Sequence, residues 1–236
     1  IAAAGTGNIP TFIATNATTA PVVATITVTP TFTNAAVSCV GTPITFTITV
    51  NPTPTVNAVA SQVLCNGTNT TAISFSSPNS GNGGSNVVFN WVNNTPSIGL
   101  AASGTGNIGS FTSTNTTTAP VVATITVTPV YTNAGVTCTG TSITFTITVN
   151  PTATVNAVAN QSLCNNTPTA AVNFSTIYTG GSVVYNWVNN TPSIGLAATG
   201  SGNIASFVAT NATNAPVTAT ITVTPTFTNG SVSCVG

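Results

Sequence analysis

The stretch from Asn8 to Val50 returns with its motifs intact from Asn107 to Val149, and the stretch opening at Asn107 returns again from Asn203, offsets of 99 and 96 residues. A chain that repeats at this period folds as a row of like domains, because a solenoid rung spans only about 20–45 residues. The difference between the two offsets arises between Phe75 and Trp91, in the Ser/Gly/Asn-rich run Ser76–Asn86. That composition suits a surface loop, where deletions are tolerated.

The phase of the repeat follows from the motif ITFTITVNP, which closes at Pro52 and again at Pro151, each time followed by a segment containing VNAVA. The expected division is the rear half of one domain over residues 1–52, a complete domain over 53–151, and a domain lacking its last strand over 152–236. The chain opens on Ile1, contains no Met and shows no basic and apolar leader pattern, so it reads as a piece cut from a longer protein.

Within each unit the hydrophobic period is two. Val22, Ala24, Ile26 and Val28 alternate with Val23, Thr25, Thr27 and Thr29, and Ile44, Phe46, Ile48 and Val50 alternate with Thr45, Thr47 and Thr49. Residues at alternate positions of a strand share a face, so these are half-buried antiparallel strands. Pro21, Pro30, Pro43 and Pro52 bracket them, as expected for a residue with no N–H to give to a sheet. No segment carries helical periodicity. The fold class is therefore all-β, with tandem immunoglobulin-like sandwiches of about seven short strands each. The strands around Val87, Phe89 and Trp91, and around Val183, Tyr185 and Trp187, read as central, with Trp91 and Trp187 as core aromatics.

The order VNAVASQVLCNGT, an aromatic-x-Trp strand, GTGNIGSFTSTN, APVVATITVTP and ITFTITVNP resembles the PKD-like domains found in tandem in very large surface proteins of gliding, Bacteroidota-type bacteria. The resemblance covers the whole chain and implies spacer domains on a cell surface. The W-x-F-G-D signature of ordinary PKD domains is replaced by Trp91-Val92-Asn93-Asn94, so no carboxylate role carries over.

The chain contains no Asp, Glu, Lys, Arg or His, whereas soluble domains devote about a quarter of their residues to charge. General acid and base catalysis, hard metal sites and phosphate recognition all draw on those residues. The reading is therefore no enzyme, no catalytic residue, no metal, no cofactor and no nucleic-acid partner. A hydrophobic fraction of 42% with a mean hydropathy of +0.44 supplies ample core material. Thr, Asn or Ser interrupts every apolar run, which excludes a membrane-spanning helix.

Cysteines stand at 39, 65, 138, 164 and 234. Cys65 lies early in the complete domain and Cys138 just before its last strand, and Cys164 and Cys234 repeat the arrangement. The expected bridges are Cys65 with Cys138 and Cys164 with Cys234, with Cys39 paired to a cysteine upstream of Ile1. The rival reading joins Cys39 to Cys65 and Cys138 to Cys164. Either implies an oxidising, extracellular compartment.

Asn16, Asn66, Asn69, Asn115 and Asn211 open N-x-S/T triplets and are candidate glycosylation sites. The GTGNI motifs at Gly5–Ile9 and Gly104–Ile108, and GSGNI at Gly200–Ile204, precede strands and read as turns rather than phosphate loops. The expected function is a structural segment of a long extracellular filament or surface adhesin that self-associates through uncharged Thr/Asn-rich surfaces. A polysaccharide-binding module is the alternative. An ice-binding array on Thr25, Thr27, Thr29, Thr45, Thr47 and Thr49, and a cross-β fibre, are weaker readings.

Overall fold

The computed structural model describes residues 1–79 and 87–236, so part of the loop expected over Ser76–Asn86 lies outside the described residues. Apart from single 3-10 turns at Pro96–Ile98 and Pro192–Ile194, the described regular structure is entirely β. The first repeat unit contributes β1 (Val22–Val28), β2 (Thr31–Asn34), β3 (Val37–Val40) and β4 (Ile44–Val50). The second contributes β5 (Gln62–Cys65), β6 (Val87–Asn93), β7 (Ser103–Thr105), β8 (Val121–Asn133), β9 (Val136–Thr139) and β10 (Ile143–Asn150). The third contributes β11 (Thr167–Pro168), β12 (Ser182–Asn189), β13 (Thr199–Ser201), β14 (Val208–Ala209), β15 (Ile221–Asn229) and β16 (Val232–Val235).

The second unit is built on one sheet in the order β5-β10-β8-β6-β7, with β9 paired to the end of β8. Only the β10–β5 pairing is parallel. The period-two pattern decides which face is buried. Ala123, Ile125, Val127 and Tyr131 of β8, with Ile147 and Val149 of β10, are fully buried on one face, while Thr124, Thr126 and Thr128 face the other way. Irregular extended segments joined by bridges at Asn69–Thr112 and Ile73–Ile108 cover the apolar face and complete an all-β sandwich. They bring Phe75 to 5.7 Å from Phe89 and 6.3 Å from Phe145, ring centre to ring centre. Each such side chain stabilises the fold by about 1.5–3 kcal/mol through burial.

The third unit repeats this plan around Phe174, Trp187, Leu196 and Ile204, with a sheet in the order β13-β12-β15-β16. The first unit contributes two antiparallel pairs, β1 with β4 and the hairpin β2–β3.

Pro21, Pro30, Pro43 and Pro52 lie outside the strands as expected, whereas Pro129 lies inside β8 and Pro225 inside β15. Pro129 falls between the last β10 pair, Val127 with Ile143, and the first β9 pair, Val130 with Thr139, so its absent N–H interrupts no ladder on that edge.

The expected disulfides are corrected by the structure. Cys65 bonds to Cys234 of the third unit, with 5.5 Å between their Cα atoms, and Cys39, Cys138 and Cys164 are free thiols. Neither within-unit bridge, Cys65 with Cys138 or Cys164 with Cys234, is formed, nor is either pairing of the rival reading. The reason is strand geometry. Cys65 lies beside Asn150 at the end of the sheet marked by Val121, whereas Cys138 lies opposite Tyr131. At about 3.3 Å per residue those two ends of β8 are separated by roughly 33 Å. A disulfide needs Cα atoms within about 7 Å.

Candidate assembly surfaces

The strands place the early cysteine at one end of the unit and the late cysteine at the other, and the structure stacks the units end to end. At the junction of the second and third units, the Asn229 side-chain amide donates to Asn150 Oδ1 at 2.9 Å. At the junction of the first and second units, Asn133 donates in the same way to Asn51 Oδ1 at 2.8 Å. Asn51 and Asn150 are repeat equivalents, as are Asn133 and Asn229. The two junctions therefore share one contact: the turn of one unit's terminal hairpin rests on the last strand of the unit before. The Cys65–Cys234 bond lies at this contact, and Cys65 Sγ lies 3.5 Å from the Ser233 carbonyl oxygen.

A second surface appears when equivalent edges are compared. In the second unit β10 lies between β8, paired antiparallel over Val121–Val127, and β5, paired in parallel over Gln62–Cys65. In the third unit the equivalent of β5, residues 161–164, is not a strand, and of the equivalent of Val121–Val127, residues 217–223, only 221–223 are, at the start of β15. Between them lies an open cleft of about 630 Å³ lined by Leu163, Phe174, Ile204, Phe207, Val217 and Ile221, among others. Leu163 is 45% exposed there, and Ile221 is half-buried where its equivalent Ile125 is fully buried. This groove is lined by the repeat equivalents of Leu64, Phe75, Ile108, Phe111, Val121 and Ile125, which pack in one core with the Ile-x-Phe-x-Ile-x-Val strand in the unit before it.

The opposite end of the molecule presents the reciprocal surface. β1 and β4 pair in the register of β8 and β10, Ile26 with Phe46 matching Ile125 with Phe145. Several of the core-type side chains at this end are open to solvent: Phe46 is 42% exposed against 4% for Phe145, and Phe32 of β2 is 70% exposed against full burial of Tyr131. Val22, Val28 and Ile44 are exposed too, while Ile26, Ile48 and Val50 are half-buried.

Several residues singled out in the sequence have structural roles here. Trp91 and Trp187 are buried against Gly104 and Gly200 and offer no platform for a sugar. In the GTGNI motif Gly106 takes a left-handed φ of 69° and Asn107 Oδ1 accepts from the Phe75 N–H, so the motif is a turn tied into the core. Asn115 is only 5% exposed. Its Nδ2 donates to the Ala119 and Val149 carbonyls, and its Oδ1 accepts from the N–H and hydroxyl of Thr117. The triplet is thus an Asx-type turn tying a loop to β10, and a buried, fully bonded amide leaves no room for a glycan. Asn16 makes the same set with Ala20, Val50 and Thr18, and Asn211 makes the bonds to Ala215 and Thr213 without one to a strand carbonyl. Asn66 Oδ1 accepts from the Asn115 N–H, and Asn69 Oδ1 accepts from the Thr112 hydroxyl. Thr25 lies opposite Thr47 and Thr27 opposite Thr45, an exposed cross-strand patch on one hairpin.

Sequence reasoning missed the junction asparagines. Their signal was the recurrence of an Asn after each ITFTITV strand and of another in each TN turn. Among the described residues no group of His, Cys, Asp or Glu is arranged to hold a metal ion, and no helix is long and apolar enough to cross a membrane. Compared with models of known protein families and with curated proteins, the chain matches none.

Proposed function

We propose that this chain is a structural segment of a long extracellular filament or surface adhesin, in which PKD-like, immunoglobulin-like sandwiches stack end to end and bear mechanical load. The observation that carries the reading is the repeated junction: the same Asn–Asn contact at both unit boundaries, with a disulfide across one of them. A contact made once joins two domains. A contact made in the same way by successive units propagates along a chain or a stack of chains. The groove of the third unit takes as its occupant an Ile-x-Phe-x-Ile-x-Val strand from a further copy of the unit, the sequence that β10 places in the equivalent groove. A disulfide of this span also suits an oxidising, extracellular setting. With no ionic side chain, self-association relies on apolar contact and on Thr and Asn hydrogen bonds.

Electron microscopy of the purified chain at increasing concentration tests the reading. Filaments one domain wide, with an axial repeat set by the unit, are the expected result. A chain that stays monomeric and binds members of a polysaccharide array would reject it in favour of the carbohydrate-binding alternative.

A further inference from the structure

We infer that every junction between successive units of this repeat is closed by the same disulfide, and that Cys39, Cys138 and Cys164 are the sites through which further copies of the unit are covalently linked. Cys65 is the early cysteine of its unit and Cys234 the late cysteine of the next. The repeat offsets make Cys164 the equivalent of Cys65, and make Cys39 and Cys138 the equivalents of Cys234. Each free thiol is therefore one half of the bond already formed between the second and third units.

An observation independent of the cysteines locates Cys138. The Asn133–Asn51 hydrogen bond sets the terminal hairpin of the second unit on β4, as Asn229–Asn150 sets that of the third unit on β10. Cys138 lies on that hairpin opposite Tyr131, as Cys234 lies opposite Phe227. It is thereby presented to the first unit in the way Cys234 is presented to Cys65. The equivalent of Cys65 in the first unit lies outside the sequence, so Cys138 meets no thiol within it.

The linkage has a direction. Early cysteines stand at one end of the unit and late cysteines at the other, so an early cysteine meets only the late cysteine of the following unit. Like-with-like bonds, Cys164 with Cys164 or Cys138 with Cys138, would require units to meet head to head. A catalytic or metal-binding role for these thiols has no support, since no basic or carboxylate side chain is present to activate or complete such a site.

Bond formation consumes a disulfide oxidant of the glutathione type. The first thiolate attacks the oxidant, forming a mixed disulfide and releasing one glutathione thiol. The second thiolate then displaces the other glutathione. The two cysteine sulfurs are joined, and the two electrons they lose leave in the two released thiols.

The test extends the full chain by fusing a second copy of residues 53–99 ahead of Ile1, which completes the first unit because Leu100 is the repeat equivalent of Ile1. The extended and original chains are oxidised in a glutathione buffer, alkylated, cut with pepsin and mapped by mass spectrometry. Trypsin has no Lys or Arg to cleave. In the original chain, alkylation of Cys39, Cys138 and Cys164 is expected. In the extended chain the added cysteine is expected to link to Cys138, abolishing alkylation there while Cys39 and Cys164 stay reactive. In a Cys138→Ser version of the extended chain the added cysteine should stay alkylated and not move to Cys39. Linkage of the added cysteine to Cys39, or a reduced Cys138 in molecules whose Cys65–Cys234 bond is intact, overturns the inference. So does absence of the Cys65–Cys234 bond itself. The readout is taken on soluble chains, so failure to form filaments would reject the proposed function without touching this result.

Discussion

Gly104 lies directly opposite Trp91 across the β6–β7 pair, and a Cβ added to it would fall 2.2 Å from Cζ2 of the indole. Gly200 stands in the same relation to Trp187, at 2.0 Å. The first glycine of the GTGNI motif is thus set by the bulk of the tryptophan, which packs flat on bare backbone. Gly104→Ala and Gly200→Ala should each cost about 1–3 kcal/mol through overpacking and lower the melting temperature by several degrees. Gly5→Ala, at the matching position of the first unit with nothing within 4 Å of its Cβ, should leave the melting temperature unchanged. Equal stability of all three variants would contradict this packing.

Of Asn16, Asn66, Asn69, Asn115 and Asn211, Asn115 is the one that is buried. Its amide bridges Ala119 and the end of β10 at Val149. Asn115→Ala removes the donor to the buried Val149 carbonyl and one of the two donors to Ala119, and should destabilise the chain by about 1–3 kcal/mol. Asn211→Ala should cost less, because Asn211 makes the Ala215 bond without a strand carbonyl equivalent to Val149. Denaturant titration of both variants checks the order, and a larger loss at Asn211 would refute it.

The β2–β3 turn carries two alanines with positive φ, Ala35 at 45° and Ala36 at 66°. The equivalent of Ala36 in the second unit is Gly135, with φ of 77°, while Ala35 corresponds to Ala134 in the second unit and Gly230 in the third, with φ of 48° and 58°. A left-handed Ala costs about 1–2 kcal/mol relative to a residue without Cβ. Ala36→Gly should therefore strengthen this hairpin by about 1 kcal/mol, seen as slower amide hydrogen exchange over Thr31–Val40. Unchanged or faster exchange would show that the turn is not strained there.

The strands were legible in the sequence because alternation is a local signal: Ile143, Phe145, Ile147 and Val149 announce a half-buried strand whatever lies beside them. The disulfide was not. Repeat position shows that Cys65 and Cys138 share a unit but not that β8 carries them to opposite ends of it, since that depends on β8 running through Pro129 as one long strand. Likewise the parallel β10–β5 pairing joins residues far apart in sequence and leaves no periodic trace. The role of Asn115 was hidden for a related reason, because a triplet Asn-x-Thr looks the same whether its amide faces water or ties off a buried strand.

With no carboxylate, imidazole, amine or guanidinium on any side chain, folding has no side-chain proton uptake or release to couple to between about pH 4.5 and 7. Surface charge pairs that salt could screen are absent as well. The melting temperature should stay within about a degree across that range and between about 0.05 and 1 M of a weakly interacting salt such as sodium chloride. A pronounced pH optimum in calorimetry would contradict the account.

The end-to-end arrangement stands on one covalent bond. In the chain-entropy picture a bridge spanning 169 residues contributes about 5 kcal/mol, an upper figure that reduction would remove. Peptic digestion of the unreduced, alkylated chain at acid pH, where thiol exchange is slow, reads it directly. The expected result is one linked peptide pair containing Cys65 and Cys234, with Cys138 and Cys164 alkylated; recovery of Cys65 joined to Cys138, or Cys164 joined to Cys234, would contradict the account.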